Sequence, residues 1–304
     1  MFITPIREAD SFNEIRVFRD DLYPFLGGGN KGRKMDHISL AIQAKKANAV
    51  VTTGGIQSNH CRTVAVFAAQ NGLQCTLVLH GSKELFLQQN GNAKVIRDTG
   101  VTTVFVDNPS EISSAMDKAM HAYRVSGYVP YYIYGGGHTL EGGLAYIDAI
   151  SDLKTQLINH NWFPDFIFHA SGTGSTQAGI LAGLDKHGLD AEVVGISVGR
   201  PRRAAEQVVS TFYAELCDFY KISNSTRKVT VLDDYLCGGY GLFNNEVARI
   251  SQNSLRKYGF TLDTTYTAKA FYGMADYLER HQLKDRNILF WHTGGVLNYL
   301  AEQY

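Results

Sequence analysis

Phe166-Ile167-Phe168-His169-Ala170-Ser171-Gly172-Thr173-Gly174-Ser175-Thr176 passes from an apolar run through two glycines and four hydroxyls. A short apolar run bounded by glycine reads as a buried strand. A glycine-rich turn that enters a helix aims backbone N–H groups and hydroxyls at one centre, which makes a cradle for phosphate. The order lacks the GxGxxG of a dinucleotide fold and the GK[ST] of a P-loop, which favours one phosphate over a nucleotide. The plainer alternative is a serine-threonine loop that only caps its helix.

Outward from that stretch the chain alternates strands and helices. Before it, strands are predicted at Ile15 to Phe18, Asn48 to Thr53, Cys75 to Leu79, Val101 to Val106 and Val129 to Tyr134. Helices are predicted from Met35, through Val64 to Ala68, over Ala93 to Thr99, over Glu111 to Val125 and over Thr139 to Leu157. After it, strands are predicted at Val193 to Val198, Val229 to Leu232 and Ile288 to Trp291. The matching helices are Arg202 to Phe219, Asn244 to Tyr258 and Thr265 to Arg280, with a short one to close. This rhythm means βαβ units and an α/β fold: open, twisted, mostly parallel sheets with helices on both faces. No repeat or low-complexity linker separates domains, so the boundaries fall at glycine turns near Lys34 and Gly135. The expected division is a large domain of residues 1–34 and 136–304 and a small domain of 35–135.

Composition excludes several classes. The 304 residues are long enough for two domains. With 29 basic and 29 acidic residues, nothing points to nucleic acid or an acidic membrane as partner. Apolar runs are shorter than a membrane span, and Arg7, Glu8 and Asp10 interrupt any leader-like apolar stretch, so a cytoplasmic protein is expected. Cys61, Cys75, Cys217 and Cys237 make no metal-ligand spacing and are expected to be buried, reduced thiols; no metal is expected. Asn224-Ser225-Thr226 has the form of a glycosylation sequon but is read as a polar loop.

Open α/β sheets bind ligands where strands end and helices begin. Besides the serine-glycine-threonine turn, three such junctions are polar and glycine-rich. Gly27-Gly28-Gly29-Asn30-Lys31-Gly32-Arg33-Lys34 puts Lys31 and Lys34 on one face of a helix start. One lysine could bond to a carbonyl cofactor while the other holds an anionic end; the alternative is a loop with a solvated basic helix start. Gly54-Gly55-Ile56-Gln57-Ser58-Asn59-His60 offers a helix N-terminus to a carboxylate, or Ser58 as a cap alone. His292-Thr293-Gly294-Gly295 could give a hydroxyl to a heterocycle, or be the last turn of the fold. A lysine, a carboxylate trap and a one-phosphate cup together suggest pyridoxal 5'-phosphate.

The segments GGNKGRK, GGIQSNHCR, SGTGSTQAG, GGYGLFNNE, LDTTYTAKAFYGM and HTGG, in that order, resemble one pyridoxal-phosphate family. It contains 1-aminocyclopropane-1-carboxylate (ACC) deaminase and D-cysteine desulfhydrase, which share the tryptophan-synthase-β-like fold (fold type II). The resemblance implies that Lys31 forms the Schiff base with the cofactor and that Lys34 lies near its phosphate. Gly172, Thr173, Gly174, Ser175 and Thr176 would take the phosphate, and Asn59 would bond the ring oxygen. Ser58 would bind the substrate carboxylate, with Asn59 and His60 beside it, and in the deaminase would join the proton or nucleophile chemistry as a catalytic residue. Tyr240 and Tyr266 would be acid/base groups facing the substrate. A homodimer is implied in the same way.

Thr267, His60 and Thr293 stand where the ACC deaminases characteristically have glutamate, glutamine and leucine. All three resemble the D-cysteine desulfhydrase branch. A hydroxyl at the ring nitrogen would leave it neutral, a weaker electron sink that suits loss of a good leaving group such as thiolate. The expected activity is therefore α,β-elimination on a small amino acid such as D-cysteine, giving pyruvate, ammonia and sulfide. ACC deamination is the rival activity, and a non-catalytic pyridoxal-phosphate-binding protein the rival of another class. His80 to Gln89 and the Thr264-Thr265 pair depart from the family pattern.

Overall fold

A computed structural model describes residues 3–6, 13–223 and 226–302. The sequon residues Asn224 and Ser225, and Arg7, Glu8 and Asp10, lie outside them. Strands β1 (Ile3–Ile6) and β2 (Glu14–Phe18) lead to helix α1 (Asn30–Ala44). Then come β3 (Ala49–Gly55), α2 (Asn59–Gln70), β4 (Gln74–His80), α3 (Lys83–Gln88), α4 (Asn92–Asp98), β5 (Thr102–Val106), α5 (Ile112–Val125) and β6 (Pro130–Tyr132). Helix α6 (Leu140–His160) precedes β7 (Phe166–Ser171), α7 (Ser175–His187), β8 (Glu192–Ser197), α8 (Arg202–Phe219) and β9 (Thr230–Leu232). The chain closes with α9 (Asn245–Tyr258), α10 (Thr267–Arg280), β10 (Asn287–Trp291) and α11 (Val296–Tyr299).

The chain divides into two compact units, residues 1–30 with 143–302, and residues 31–142. The first holds a six-stranded sheet in the order β1-β2-β10-β7-β8-β9. Every neighbouring pair is parallel except β1 with β2, which are antiparallel with Ile3 opposite Phe18. Side chains alternate across the sheet. Phe168, Ile196, Ile288 and Phe290 face a core built with Phe271 and Met274 of α10. Trp291 points to the other face, where its ring meets Tyr146 of α6 and its Nε1 donates to the buried Asp20 carboxylate at 3.1 Å. Tyr146 donates its hydroxyl to the same carboxylate.

The second unit has a parallel four-stranded sheet in the order β5-β4-β3-β6. Val50, Leu77 and Leu79 pack against Ile38 of α1, Val64 of α2 and Ile96 of α4. Val51 and Val78 turn the other way, to Met116 and Met120 of α5. Strands covered on both faces are near-continuous apolar runs, as AVV and TLVL are here.

Differences from the predicted elements have local causes. Strand β1 adds an antiparallel edge not read from the sequence. Strand β6 is shorter than expected because Pro130 opens it and the glycine turn starts three residues beyond its end. Helix α3 forms inside the unusual His80–Gln89 segment, where the Ser82 hydroxyl accepts from Leu85 N. Helix α10 starts at Thr267, two residues later than expected, because the Asp263 carboxylate accepts the N–H groups of Tyr266 and Thr267. All four cysteines are unpaired; three are buried, and Cys237, expected to be buried as well, is only partly so. Among the described residues there is no helix long and apolar enough to cross a membrane, and no cluster of metal-ligating side chains.

Candidate active site

In the first unit the predicted phosphate turn joins β7 to α7. Gly174, in the left-handed region at φ +88°, is the N-cap of α7 and offers no side chain to the first helical amides. A Cβ there would lie 3.0 Å from Val209. Thr173 and Ser175 bring their hydroxyl oxygens to 3.5 Å, and Arg200 donates to the Gly172 carbonyl, fixing that peptide plane. Amides, hydroxyls and the positive end of the α7 dipole at this turn fit a phosphate.

Two further loops of this unit meet that turn through Asn30. Its N–H donates to the Thr293 carbonyl at 3.0 Å, and its Nδ2 donates to Thr176 Oγ1 at 3.2 Å. The approach is backbone against backbone. A Cβ on Gly29 would be 2.8 Å from the Thr293 carbonyl oxygen, and one on Gly294 would be 2.7 Å from Gly29 Cα. His292, fully buried, donates Nε2–H to the Thr261 carbonyl and accepts the Gly294 N–H on Nδ1, so it is neutral and shapes this turn. Burial lowers its pKa, in keeping with that state.

The two threonines expected near a heterocycle differ. Thr267 donates its hydroxyl to Asp263 Oδ1 at 2.8 Å and accepts the Asp263 N–H at 2.9 Å. The Thr293 hydroxyl has no protein partner among the described residues, while its carbonyl is the one bound by Asn30. Thr267 thus fixes the turn below Tyr266, and Thr293 carries the open hydroxyl. Burial, with Glu302 nearby, pushes Asp263 up to about 7.

Tyr240 and Tyr266 are together, hydroxyl bonded to hydroxyl, with ring centroids 5.8 Å apart at 74°. Sequence reasoning missed what holds them. Lys269, fully buried one turn into α10, donates to the carbonyls of Leu236 at 2.8 Å and Gly239 at 3.0 Å and pins the loop that carries Tyr240. A lysine amid the apolar AKAFYGM run was the signal available.

The second unit holds the other predicted residues. Lys31, in the first turn of α1, donates Nζ to the Gly136 carbonyl at 3.1 Å. Burial lowers its pKa to about 8, so a large share of the amine is unprotonated in mildly alkaline solution. Lys34 is buried in the same helix, against the position a Gly137 Cβ would take. Ser58 is the N-cap of α2; its hydroxyl oxygen accepts from Cys61 N at 3.2 Å, and its side chain also bonds the Cys61 side chain. Gly54 makes room for it, since a Cβ there would lie 2.6 Å from Ser58 Oγ.

His60 is buried. The Thr52 hydroxyl donates to the Ile133 carbonyl at 2.7 Å, so it can only accept from His60 Nε2, 2.8 Å away. His60 is thus neutral with its proton on Nε2. Burial first, and then the Lys31, Lys34 and Arg62 charges, hold its pKa well below the ordinary value.

A family model described as "Pyridoxal-phosphate dependent enzyme" matches residues 2–294. The chain belongs to that family. It is 32% identical over 288 residues to a D-cysteine desulfhydrase of Yersinia enterocolitica, covering 93% of this chain and 87% of that protein. It is 33% identical over 285 residues to a Pyrococcus horikoshii protein that carries the name of a 1-aminocyclopropane-1-carboxylate deaminase, covering 93% and 85%. A solved structure described as an ACC deaminase homologue superposes with a TM-score of 0.89 at 31% identity, covering 98% of this chain and 90% of that one. The protein is therefore a pyridoxal-phosphate-dependent enzyme of the desulfhydrase and deaminase group, with the two mostly parallel sheets of fold type II. Within the first unit, the turn at Gly172–Thr176 and the open Thr293 hydroxyl fit that cofactor; within the second, the Lys31 amine of lowered pKa does.

Proposed function

We propose that the protein catalyses α,β-elimination on a small amino acid of the D-cysteine type. Overall, D-cysteine and water give pyruvate, ammonia and hydrogen sulfide. Lys31 would hold the cofactor covalently, Lys34 and residues Gly172 to Thr176 would hold its phosphate, Asn59 its ring oxygen, and Thr293 its ring nitrogen. The bound cofactor supplies the electron sink for carbanion chemistry at the substrate Cα. Lys31, as a free amine, would move the Cα proton; its lowered pKa suits a base working near neutrality. Ser58, with Asn59 and His60, holds the substrate carboxylate at the N-terminus of α2. Tyr240 and Tyr266, hydroxyl bonded to hydroxyl, deliver a phenol proton to the leaving group.

The observation that carries this reading is Asn30. It ties the phosphate turn to the Thr293 turn and is joined to Lys31 by a peptide bond. The cytoplasm as location and a homodimer as assembly belong to the same reading and rest on the family resemblance. ACC deamination is the second reading, favoured by the names of two relatives. Against it stands Thr267 at the position of a glutamate.

The test is an absorbance spectrum of purified protein with the cofactor, followed by product analysis. We expect a bound-cofactor band that Lys31→Ala abolishes, pyruvate and sulfide from D-cysteine, and no 2-oxobutanoate from ACC. A band and activity that survive in Lys31→Ala overturn the proposal. Cofactor binding without turnover of any amino acid in a D- and L-panel would leave a binding protein.

A further inference from the structure

In the second unit, Arg62 and Asn92 are almost completely buried, and neither figured in the sequence reading of the site. Arg62 Nε donates to Asn92 Oδ1 at 3.1 Å. Asn92 Nδ2 donates to the Gln57 carbonyl at 3.2 Å and to Asn59 Oδ1 at 2.9 Å. The direction of this chain is fixed at both ends of Asn92. A guanidinium can only donate and a backbone carbonyl can only accept, so the Asn92 amide has one permitted orientation. Asn59 must then turn its oxygen to Asn92 and its NH2 group away. That NH2 group has no partner among the described residues, and Asn59 is partly exposed.

We propose that Asn92 is a positioning residue. Held by the Arg62 guanidinium, it orients the Asn59 amide so that only a hydrogen-bond donor faces the cofactor's ring oxygen. This rests on the reading that Asn59 meets that oxygen. An anionic phenolate matches a donor and is repelled by an amide oxygen, so the orientation selects for it. The burial of a positive charge two links behind the donor polarises the amides in the same direction. Gln57 braces the arrangement. Its side-chain oxygen accepts Ala93 N, and its Nε2 donates to the Asn90 carbonyl at 2.8 Å.

The decisive variant is Asn92→Asp, which keeps the shape and the bond to Arg62 but cannot donate to Asn59. The Asn59 amide then flips to give its NH2 to the new carboxylate and presents oxygen outward. Dissociation constants are measured by titrating apoprotein with pyridoxal phosphate and with its analogue lacking the 3-hydroxyl. We expect wild type to prefer the phenolic cofactor. We expect Asn92→Asp to weaken pyridoxal phosphate by about tenfold to a hundredfold while the analogue changes by less than about threefold. Asn92→Ser, which withdraws the amide without adding charge, gives a smaller loss of the same phenol-dependent kind and serves should the aspartate variant not fold. Equal losses for both cofactors, or no loss for either, overturn the proposal. A wild type that does not discriminate between the two cofactors overturns instead the placement of Asn59 on which it rests.

Discussion

Thr267 and Thr293 show how one side-chain type takes two roles. Thr267 is fully buried and satisfied by Asp263, so Thr267→Val leaves a buried carboxylate short of a donor. It should cost about 1–3 kcal/mol in denaturant unfolding. Thr293→Val should change stability by less than about 1 kcal/mol but shift the bound-cofactor spectrum and lower affinity. Lys31 gives a pH signature. Its pKa is about 8 in the folded apoprotein against 10.5 as the ordinary value, so between these values the unfolded chain binds more protons. Apoprotein stability should therefore rise as pH climbs from about 8 to about 10.5, and Lys31→Met should remove that rise, as urea unfolding across the range would show. Asp263 has the opposite sign. Raised from 3.8 to about 7, it binds a proton in the folded state that the unfolded chain has lost, so its contribution falls over that interval.

At the scale of elements, the helix start at Ser58 is the most constrained. Gly54→Ala would set a methyl 2.6 Å from Ser58 Oγ and 2.8 Å from Cys61 Sγ. The expected result is a stability loss of about 1–3 kcal/mol and a larger fall in kcat/KM, measured on cofactor-loaded protein. Strands and helices were legible where apolar period and caps agree, as in FIFHAS before the α7 turn and Arg202–Phe219 for α8. The site junctions were legible because glycine, hydroxyl and lysine residues mark them directly. Strand β1 was not, since four residues at a sheet edge carry too little pattern. Asn92, Arg62, Lys269 and Asp263 escaped for a different reason. The first three act through partners distant in sequence, 30 residues for Arg62 with Asn92, that only the fold brings together, whereas Asp263 acts on the nearby Tyr266 and Thr267 through a turn that its sequence does not announce.

At the scale of the molecule, each unit has its own core, and ligand binding should raise the melting temperature by mass action. About 100 times the dissociation constant of cofactor stabilises by roughly 2.7 kcal/mol. Wild type should show that shift by calorimetry, and Lys31→Ala much less of it. The strand order β2-β10-β7 has a further consequence for how the chain is made. The second unit is one continuous run, residues 31–142, and can reach its native contacts as soon as it is synthesised. The first unit is split, and the strand that joins its early and late pieces is made after both of the strands it lies between. Until Asn287 to Trp291 leave the ribosome, β2 and β7 have no neighbour to lie between them, and their edges stay open to other chains. A nascent chain stopped at Arg286 should accordingly protect the amides of residues 31–142 from exchange while those of β2 remain labile.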